Sequence, residues 1–317
     1  MAISWLKKRV ESSATLALCP REQGISAVAI SRSRAQPVLE WADYVEAANG
    51  DRAREKLLAE LLKENQANDL STTALIAERD YNLLLVESPG VPAGELREAV
   101  RWRVKDLIDF NIEDAVVDIF EVPPLKGGRD NMLYAVVAKR AAVRAVIDEI
   151  EAAEQSLQTV DVPELALRNI ATLLPEDVGG VAFIYLNDDS GLITVTRQGT
   201  LYLSRRFDGG RAQLFASGAG AVGPENEGTL DAIVIEVQRS LDYYESQFAQ
   251  PPIQGVVIAP LGRPLDGIDA YLGSQLGIPA RVLSFADVIE TQVELSSETE
   301  ARCITALGAA LRNQVAA

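Results

Sequence analysis

The sequence predicts an α/β protein of two halves, each with the order βββαβαβα, and a small α+β insertion in the first half. Two observations favour this fold class. Apolar runs of strand length alternate with segments in which apolar residues recur at helical spacing along the 317 residues. When residues 81–138 are set aside, the order of strands and helices in the first part returns in the second. The halves repeat one another as a pattern and not as identical residues.

The first half, residues 1–174, opens with three predicted strands, which the turn-rich stretches PREQG and SRSRAQ separate. A leucine-rich helix, a strand, a second helix, a faint strand before Asp161 and a third helix follow. The third helix has clear start signals, because Asp161 can cap it, Pro163 lies in its first turn and Glu164 comes three residues after the cap. Apart from the faint strand, the predicted elements are 14–19, 25–30, 37–44, 51–66, 73–78, 140–156 and 162–174.

The insertion, about 81–138, reads as strand, helix, strand, strand. Its helix begins near Pro92, where a missing N–H costs little. The last two strands form a hairpin around the turn-prone stretch KGGR at 126–129. The predicted strands are 82–87, 115–122 and 132–139. The helix carries one apolar stripe, made of Leu96, Ala99, Val100, Val104, Leu107 and Ile108.

The second half, residues 175–317, repeats the opening pattern. Three strands lead to a long amphipathic helix that Pro251 and Pro252 end. The predicted elements are 181–186, 191–196, 200–206, 230–248, 255–259, 265–276, 280–284 and 300–312. A duplicated meander with following βα units implies two mixed sheets with helices on their faces. A ligand would then bind in the cleft between the halves.

Composition excludes several classes of protein. With 48% hydrophobic and 24% charged residues, the chain can bury a substantial core. A net charge of −16 argues against binding to nucleic acid, because such proteins concentrate Lys and Arg. No apolar run approaches the ~20 residues that a membrane-spanning helix needs. The chain has no histidine, which excludes Ser–His–Asp and Cys–His catalysis and nearly every zinc site. Cys19 and Cys303 are predicted to be free thiols of a cytoplasmic protein.

Four segments, in order along most of the chain, carry a resemblance to a known family. They are ELREAVRWRVKDLIDFNIEDAVVDIF (95–120), DVPELALRNI (161–170), VIEVQRSLDYYESQF (234–248) and CITALGAALR (303–312). Each resembles a segment of the PilM family of type IV pilus biogenesis proteins. Within that family they look closest to the MshI branch, which serves pili of the mannose-sensitive haemagglutinin (MSHA) type.

The resemblance implies an actin-like (ASKHA) bilobal fold with lobes at 1–174 and 175–317. It also implies a cytoplasmic protein, held peripherally at the inner face of the bacterial inner membrane. Such a protein is a scaffold and not an enzyme. It would bind the short cytoplasmic tail of a PilN-like (MshJ-like) membrane protein in a groove beside the insertion. This places it in the assembly complex of a type IV pilus or a type II secretion machine.

A nucleotide site is a further expectation of the actin-like fold. Two β-hairpin turns hold the phosphates, with glycines for close approach and an Asp for the water on Mg²⁺. In the first turn, ALCPREQG (17–24), Glu22 is the only acid and Pro20 removes an N–H. In the second, the resemblance places Tyr185 and Asn187 where the family has Asp and Gly. We interpret the site as degenerate.

Two alternatives remain open at the second turn. Asn187 to Gly191 read either as a solvated hairpin turn or as the remnant of a Mg-ATP site that switches partner docking. If nucleotide binds, the residues expected to contact it are Asn187, Asp188, Asp189, Ser190, Gly191, Gly209, Gly210 and Gly262. A kinase of the same fold would need the missing Asp of the first turn and a catalytic base, and no candidate for that base is evident.

Two basic stretches are candidates for contacts with other molecules. The helix of the insertion carries Arg101, Trp102, Arg103 and Lys105, which read either as a docking surface with Trp102 as anchor or as an ordinary solvated helix face. At the N-terminus, WLKKR (5–9) could lie on an anionic membrane or a partner, although a frayed basic terminus explains it as well. The N-terminus is too short and polar to be a signal peptide.

Overall fold

The computed structural model describes residues 14–21, 24–32, 36–46, 51–67, 70–125, 127, 132–291 and 293–312. The basic N-terminal stretch 5–9, Glu22 and residues 126, 128 and 129 of the predicted KGGR turn lie outside the described residues.

The described residues form α/β layers whose elements are named here in chain order. The strands are β1 (Ala14–Arg21), β2 (Gly24–Ser31), β3 (Val38–Glu46), β4 (Ser71–Leu75), β5 (Tyr81–Glu87), β6 (Ala115–Glu121), β7 (Met132–Lys139), β8 (Ser156–Asp161), β9 (Val181–Leu186), β10 (Ser190–Arg197), β11 (Thr200–Asp208), β12 (Gly255–Ile258), β13 (Ala280–Val282) and β14 (Glu290–Thr291). The helices are α1 (Asp51–Glu64), α2 (Ala93–Val104), α3 (Arg140–Ala152), α4 (Pro163–Ala171), α5 (Arg211–Leu214), α6 (Glu227–Phe248), α7 (Ile268–Leu276) and α8 (Ser297–Ala310).

Two large mixed sheets repeat one arrangement. The first has the order β14-β3-β2-β1-β4-β8, and the second has the order β11-β10-β9-β12-β13. In each, three antiparallel strands form a meander, and two parallel strands extend the sheet beyond its first strand, so that β4 and then β8 follow β1, and β12 and then β13 follow β9. The first sheet has a sixth strand, β14, which lies parallel to β3 at the other edge. The predicted fold class is therefore confirmed, including the faint strand before Asp161, which is β8.

Helices α4 and α8 pack against each other in the core that joins the sheets. That core contains buried residues of both sheets together with Leu167, Ile170, Ile304 and Leu307 from the two helices. The helices approach closely at Gly308, where an added Cβ would lie 2.1 Å from the Ala166 carbonyl oxygen. Although α8 belongs to the second half in sequence, it packs on β1, β2 and β3 of the first sheet.

The insertion is a three-stranded antiparallel sheet of order β5-β7-β6. Alternate side chains of a strand point to opposite faces, so β7 directs Leu133 and Val137 toward Val100 and Val104 of α2. Its other face places Tyr134 in the core of the second half, where the Tyr134 hydroxyl accepts a hydrogen bond of 3.1 Å from the Ser204 backbone N–H. The insertion thus packs against the edge strand β11.

Three sequence predictions are wrong in detail. Asp161 does not cap α4, because Val162 is the N-cap residue; the Asp161 carboxylate accepts the Val162 N–H at 2.8 Å and pairs with Arg312. Leu107 leaves the predicted apolar stripe, since α2 ends at Val104, a 3-10 turn follows, and the Leu107 side chain is 57% exposed. The last helix begins three residues early at Ser297, because Ser296 accepts a hydrogen bond from the Thr299 N–H.

Candidate functional site

The candidate site is a cavity of about 310 Å³ between the two large sheets. One wall is the end of β1 with Pro20 and Arg21, and the opposite wall is the β9–β10 turn with Asn187, Asp188 and Asp189. The 3-10 turn Glu78–Asp80 and helix α8 close the remaining sides. The structure therefore brings both predicted hairpin turns to one cavity.

The β9–β10 turn satisfies its own backbone donors. The Asn187 side-chain oxygen accepts hydrogen bonds from the N–H groups of Asp189 and Ser190, at 2.9 and 2.6 Å. The Asn187 side-chain nitrogen donates to the Ser190 hydroxyl at 2.8 Å and lies 3.4 Å from the Glu78 carboxylate. A phosphate cradle needs free N–H groups that point at the anion. Here a side-chain oxygen of the same turn already fills the position of such an anion.

The two adjacent carboxylates of this turn have different surroundings. Asp188 accepts hydrogen bonds from Arg211 at 2.7 Å and from Arg302 at 2.8 Å, one on each carboxylate oxygen. Partial burial opposes ionisation of Asp188, but the two guanidinium groups outweigh it and hold the pKa of this carboxyl below its usual value. Asp189 is exposed, and its backbone oxygen accepts the Gly209 N–H at 3.2 Å. Within the described part of the chain, no three His, Cys, Asp or Glu side chains are grouped so that they could hold a metal ion.

The predicted nucleotide-contacting glycines each have a close neighbour within the protein. An added Cβ on Gly191 would lie 1.9 Å from the Phe207 ring, and one on Gly210 would lie 2.5 Å from two carbonyl oxygens of the β9–β10 turn. Gly262 has φ +88° and sits over the Arg211–Glu298 pair, and Gly209 has φ +111°. The tight turns therefore require glycine for packing and backbone conformation. These requirements are independent of any ligand.

In the described part of the first hairpin turn, Arg21 makes contacts within the protein. Arg21 donates to the Thr305 hydroxyl at 2.9 Å, and its backbone oxygen accepts from Arg54 at 3.2 Å. Across the cavity, Tyr185 stands where the resemblance expects an Asp. It is buried, and burial raises the pKa of its hydroxyl. At neutral pH this position carries no negative charge that could hold a hydrated cation.

A second polar cluster lies beside the cavity, around a buried carboxylate. Glu164 at the start of α4 is 1% exposed and pairs with Arg206 of β11 at 2.8 Å. The Tyr81 hydroxyl donates to the other Glu164 oxygen. Arg206 also donates to the Glu78 backbone oxygen at 2.9 Å, and burial raises the pKa of the Glu78 carboxyl.

A groove of about 550 Å³ runs between α1 and α3, next to the insertion. We call it the α1–α3 groove. Small side chains of α3, among them Ala142 and Ala145, line it together with an ion pair between Arg54 and Glu149, whose atoms lie 2.9 Å apart. The small side chains leave room for an extended peptide segment, and the ion pair places charges of both signs along the groove.

The three predicted partner-binding residues do not share one surface. Trp102 is 59% exposed, and the Lys105 ammonium lies 6.0 Å from the centre of its ring. Arg101 is turned inward, where it donates to the backbone oxygens of Ile112 and Ala115 and holds the start of β6. An outward docking role at this helix therefore depends on Trp102 and Lys105.

Sequence reasoning missed the arginines of the cavity. Arg302 lies next to the segment 303–312, and the Glu298–Arg302 spacing of four residues is a helical ion-pair signal that could have marked it. Nothing in the sequence around Arg211, a lone arginine after two glycines, indicates which acidic residue it pairs with. Glu164 was assigned to a helix start, and its contact with Arg206 has no local signature.

Together the duplicated sheets, the two central helices and the cavity between hairpin turns define an actin-like fold. The sequence matches no protein-family model and no curated protein. Among solved structures, a chain of the PilM–PilN type IV pilus biogenesis complex matches with a TM-score of 0.75 and 19% identity, over 96% of this chain and 98% of that one. The cytoplasmic domain of EpsL, an inner membrane component of the type II secretion system of Vibrio cholerae, matches with a TM-score of 0.50 and 16% identity, over 91% and 93%. A Bacteroides thetaiotaomicron protein with an actin-like ATPase fold and unknown function matches with a TM-score of 0.51 and 9% identity, over 88% and 93%.

At these identities the matches establish the fold. In the described residues, no helix is both long enough and apolar enough to cross a membrane.

Proposed function

We propose that this protein is a cytoplasmic scaffold of a type IV pilus, of the MSHA type, or of a related type II secretion assembly. In this role it binds the cytoplasmic tail of a PilN-like (MshJ-like) inner-membrane protein and is not an enzyme. The observation that carries the proposal is the match over nearly the whole length to a chain of the PilM–PilN complex. The EpsL match adds a second protein of inner-membrane assemblies with this fold.

The α1–α3 groove is the surface that we assign to the tail. Its alanine floor lets an extended backbone approach closely, and Arg54 and Glu149, which are bonded to each other, place charges of both signs along it. A short tail that orders on binding needs a preformed groove, because it already loses its own conformational entropy. The groove lies beside the insertion, where the family resemblance places the partner.

Isothermal titration with a synthetic peptide tests this assignment. The peptide is the cytoplasmic N-terminal segment of a PilN-like inner-membrane protein. Ala145→Trp fills the groove and is expected to weaken binding about tenfold or more, since each 1.4 kcal/mol lost is tenfold in Kd. Ala232→Trp, the same change on the exposed face of α6, is the matched control and leaves Kd unchanged.

Trp102→Ala separates the groove from the helix surface of the insertion. If the tail binds the groove alone, this variant binds like the parent protein. A loss of affinity in Trp102→Ala together with normal binding by Ala145→Trp would move the partner site to α2. Normal binding by both variants would exclude both surfaces as the tail site, and no binding by the parent protein would contradict the proposed function.

The alternative function is an ATP-dependent switch, and one observation favours it. The cavity joins both hairpin turns, and Arg21 and Arg302 line it. Titration of Mg-ATP into the purified protein decides between the two. Binding at micromolar concentration would support the switch. The internal hydrogen bonds of Asn187 and the glycine contacts favour the scaffold with a degenerate nucleotide site.

A further inference from the structure

Two ionic clusters beside the cavity connect the halves of the protein. We call them the Asp188 cluster, made of Asp188, Arg211, Glu298 and Arg302, and the Glu164 cluster, made of Glu78, Tyr81, Glu164 and Arg206. Nearly all contacts in both clusters are charge-assisted hydrogen bonds, which are stronger than neutral ones.

The Asp188 cluster crosses between the halves because of where α8 lies. The Arg302 backbone oxygen accepts a hydrogen bond of 2.7 Å from Ser26 of β2, and the next residue, Cys303, donates from its thiol to the Asp43 backbone oxygen at 3.2 Å. Arg302 is thereby fixed to the first sheet. Its bond to Asp188, at the end of β9, reaches the second sheet.

The Glu164 cluster crosses at a second point. Arg206 extends from β11 of the second sheet to the buried Glu164 carboxylate on α4 and to Tyr81 at the start of the insertion. Glu164 is 1% exposed, so loss of Arg206 would leave a buried carboxylate without a positively charged partner and with the Tyr81 hydroxyl as a remaining donor. This bond therefore resists separation of β11 from α4.

Asn187, the neighbour of Asp188 in the β9–β10 turn, and Arg206 of the Glu164 cluster both contact the segment 76–81, which separates the cavity from the α1–α3 groove. Ala77 and Arg79 line both spaces, and Glu78 between them is contacted by Asn187 and Arg206. One wall of the groove is therefore held in place by residues of the second sheet.

We propose that the two clusters form a latch by which the protein's own charges, without nucleotide, keep the cleft closed and the α1–α3 groove in its binding shape. The claim that the latch affects tail binding rests on the proposed function. The claim that the latch holds residues 76–81 in place is independent of it.

Hydrogen exchange measured by mass spectrometry on the full chain tests the latch. Arg302→Gln removes the ion pair with Asp188, and Arg206→Gln removes the contacts of Arg206 with Glu164, Tyr81 and the Glu78 backbone oxygen. Each is expected to accelerate exchange about tenfold at 76–81 and at the β9–β10 turn, the change that a local opening easier by 1.4 kcal/mol gives. Arg239→Gln is the matched control, since Arg239 pairs with Glu236 on the exposed face of α6 and crosses nothing.

Addition of Mg-ATP to the parent protein is expected to leave the exchange of both segments unchanged. Arg302→Lys is a control for misfolding. It keeps the positive charge, so we expect hydrogen exchange at the same two segments to be accelerated less than in Arg302→Gln. Exchange in the glutamine variants equal to that of the parent protein would overturn the proposal. So would acceleration spread over the whole chain in Arg302→Lys, or protection of 76–81 by Mg-ATP.

A tail-binding measurement on the same variants then tests the coupling. Weaker peptide binding by the glutamine variants, with normal binding by Arg239→Gln, supports it, and normal binding by all variants refutes it. If the parent protein binds no tail peptide, the proposed function fails while the exchange result still decides the latch.

Discussion

The contact between α4 and α8 predicts that a Gly→Ala substitution within a helix, which is usually stabilising, lowers the stability of this protein. Gly308→Ala replaces a glycine in the last turn of α8 by the best helix former, a change that inside an exposed helix is stabilising by about 1 kcal/mol. Here the new Cβ would lie 2.1 Å from the Ala166 carbonyl oxygen, well short of an ordinary 3.4 Å contact. The obstacle is backbone, which cannot rotate away, so the helices must separate.

The separation also affects a buried hydrogen bond. The Asn169 side chain donates to the Gly308 carbonyl oxygen at 2.9 Å, and Asn169 is fully buried. Overpacking costs about 1–3 kcal/mol, and a buried polar group left unpaired costs about 1–3 kcal/mol more. With the gain in helix propensity subtracted, we expect Gly308→Ala to lower the free energy of unfolding by about 1–5 kcal/mol.

Urea denaturation followed by circular dichroism measures this difference. Gly273→Ala is the matched control, because it lies within α7 and its new Cβ would be 3.5 Å from the nearest atom, the Ile278 carbonyl oxygen. We expect Gly273→Ala to stabilise the protein by up to about 1 kcal/mol. A Gly308→Ala protein as stable as the parent, or more stable, would refute the packing described for α4 and α8.

Three further predictions concern other parts of the fold. Burial raises the pKa of the Cys303 thiol to about 12, so a disulfide reagent at pH 8 should leave it unmodified in the folded protein and react after unfolding; fast reaction in the folded protein would contradict its burial. Gly210→Ala should lower the free energy of unfolding by about 1–3 kcal/mol, whereas Gly228→Ala, with open space around its Cβ, should not; equal urea midpoints would contradict the tight turn. The raised pKa of Glu78 contributes stability that is complete below its ordinary pKa of 4.5 and is lost as pH rises through the folded value; Glu78→Gln should remove this loss, and an unchanged pH profile of unfolding would argue against its burial.

Local patterns predicted most of the secondary structure. The apolar runs of β9 to β11, separated by NDDSG and RQG, define strands and turns within a few residues of one another, and the structure has them at those positions. The actin-like fold followed from the repetition of such signals and from the family resemblance. Predictions were wrong where a contact with a residue distant in sequence overrides the local pattern. Asp161 had the right position for a helix cap, but Arg312 from beyond the end of α8 pairs with its carboxylate.

The cavity was predicted in position but not in chemistry. The chain itself indicated that both hairpin turns depart from a phosphate-binding pattern. It did not indicate what replaces the phosphate contacts, because Asp188 and Arg302 are 114 residues apart and meet only through the packing of α8 on the first sheet. The inward position of Arg101 was also hidden, since helical periodicity does not reveal which carbonyl groups a neighbouring turn presents.

The position of α8 has a consequence for synthesis of the chain. The face of the first sheet that includes Ala17, Val28 and Ile30 is covered by residues 297–310, which the ribosome adds only after the whole first half has been made. Until then the strands of the first half expose an apolar surface that nothing earlier in the sequence covers completely. The first half therefore cannot bury this face before α8 has been made. A chain truncated before residue 297 contains all strands of the first sheet, but it is expected to bind chaperones and aggregate.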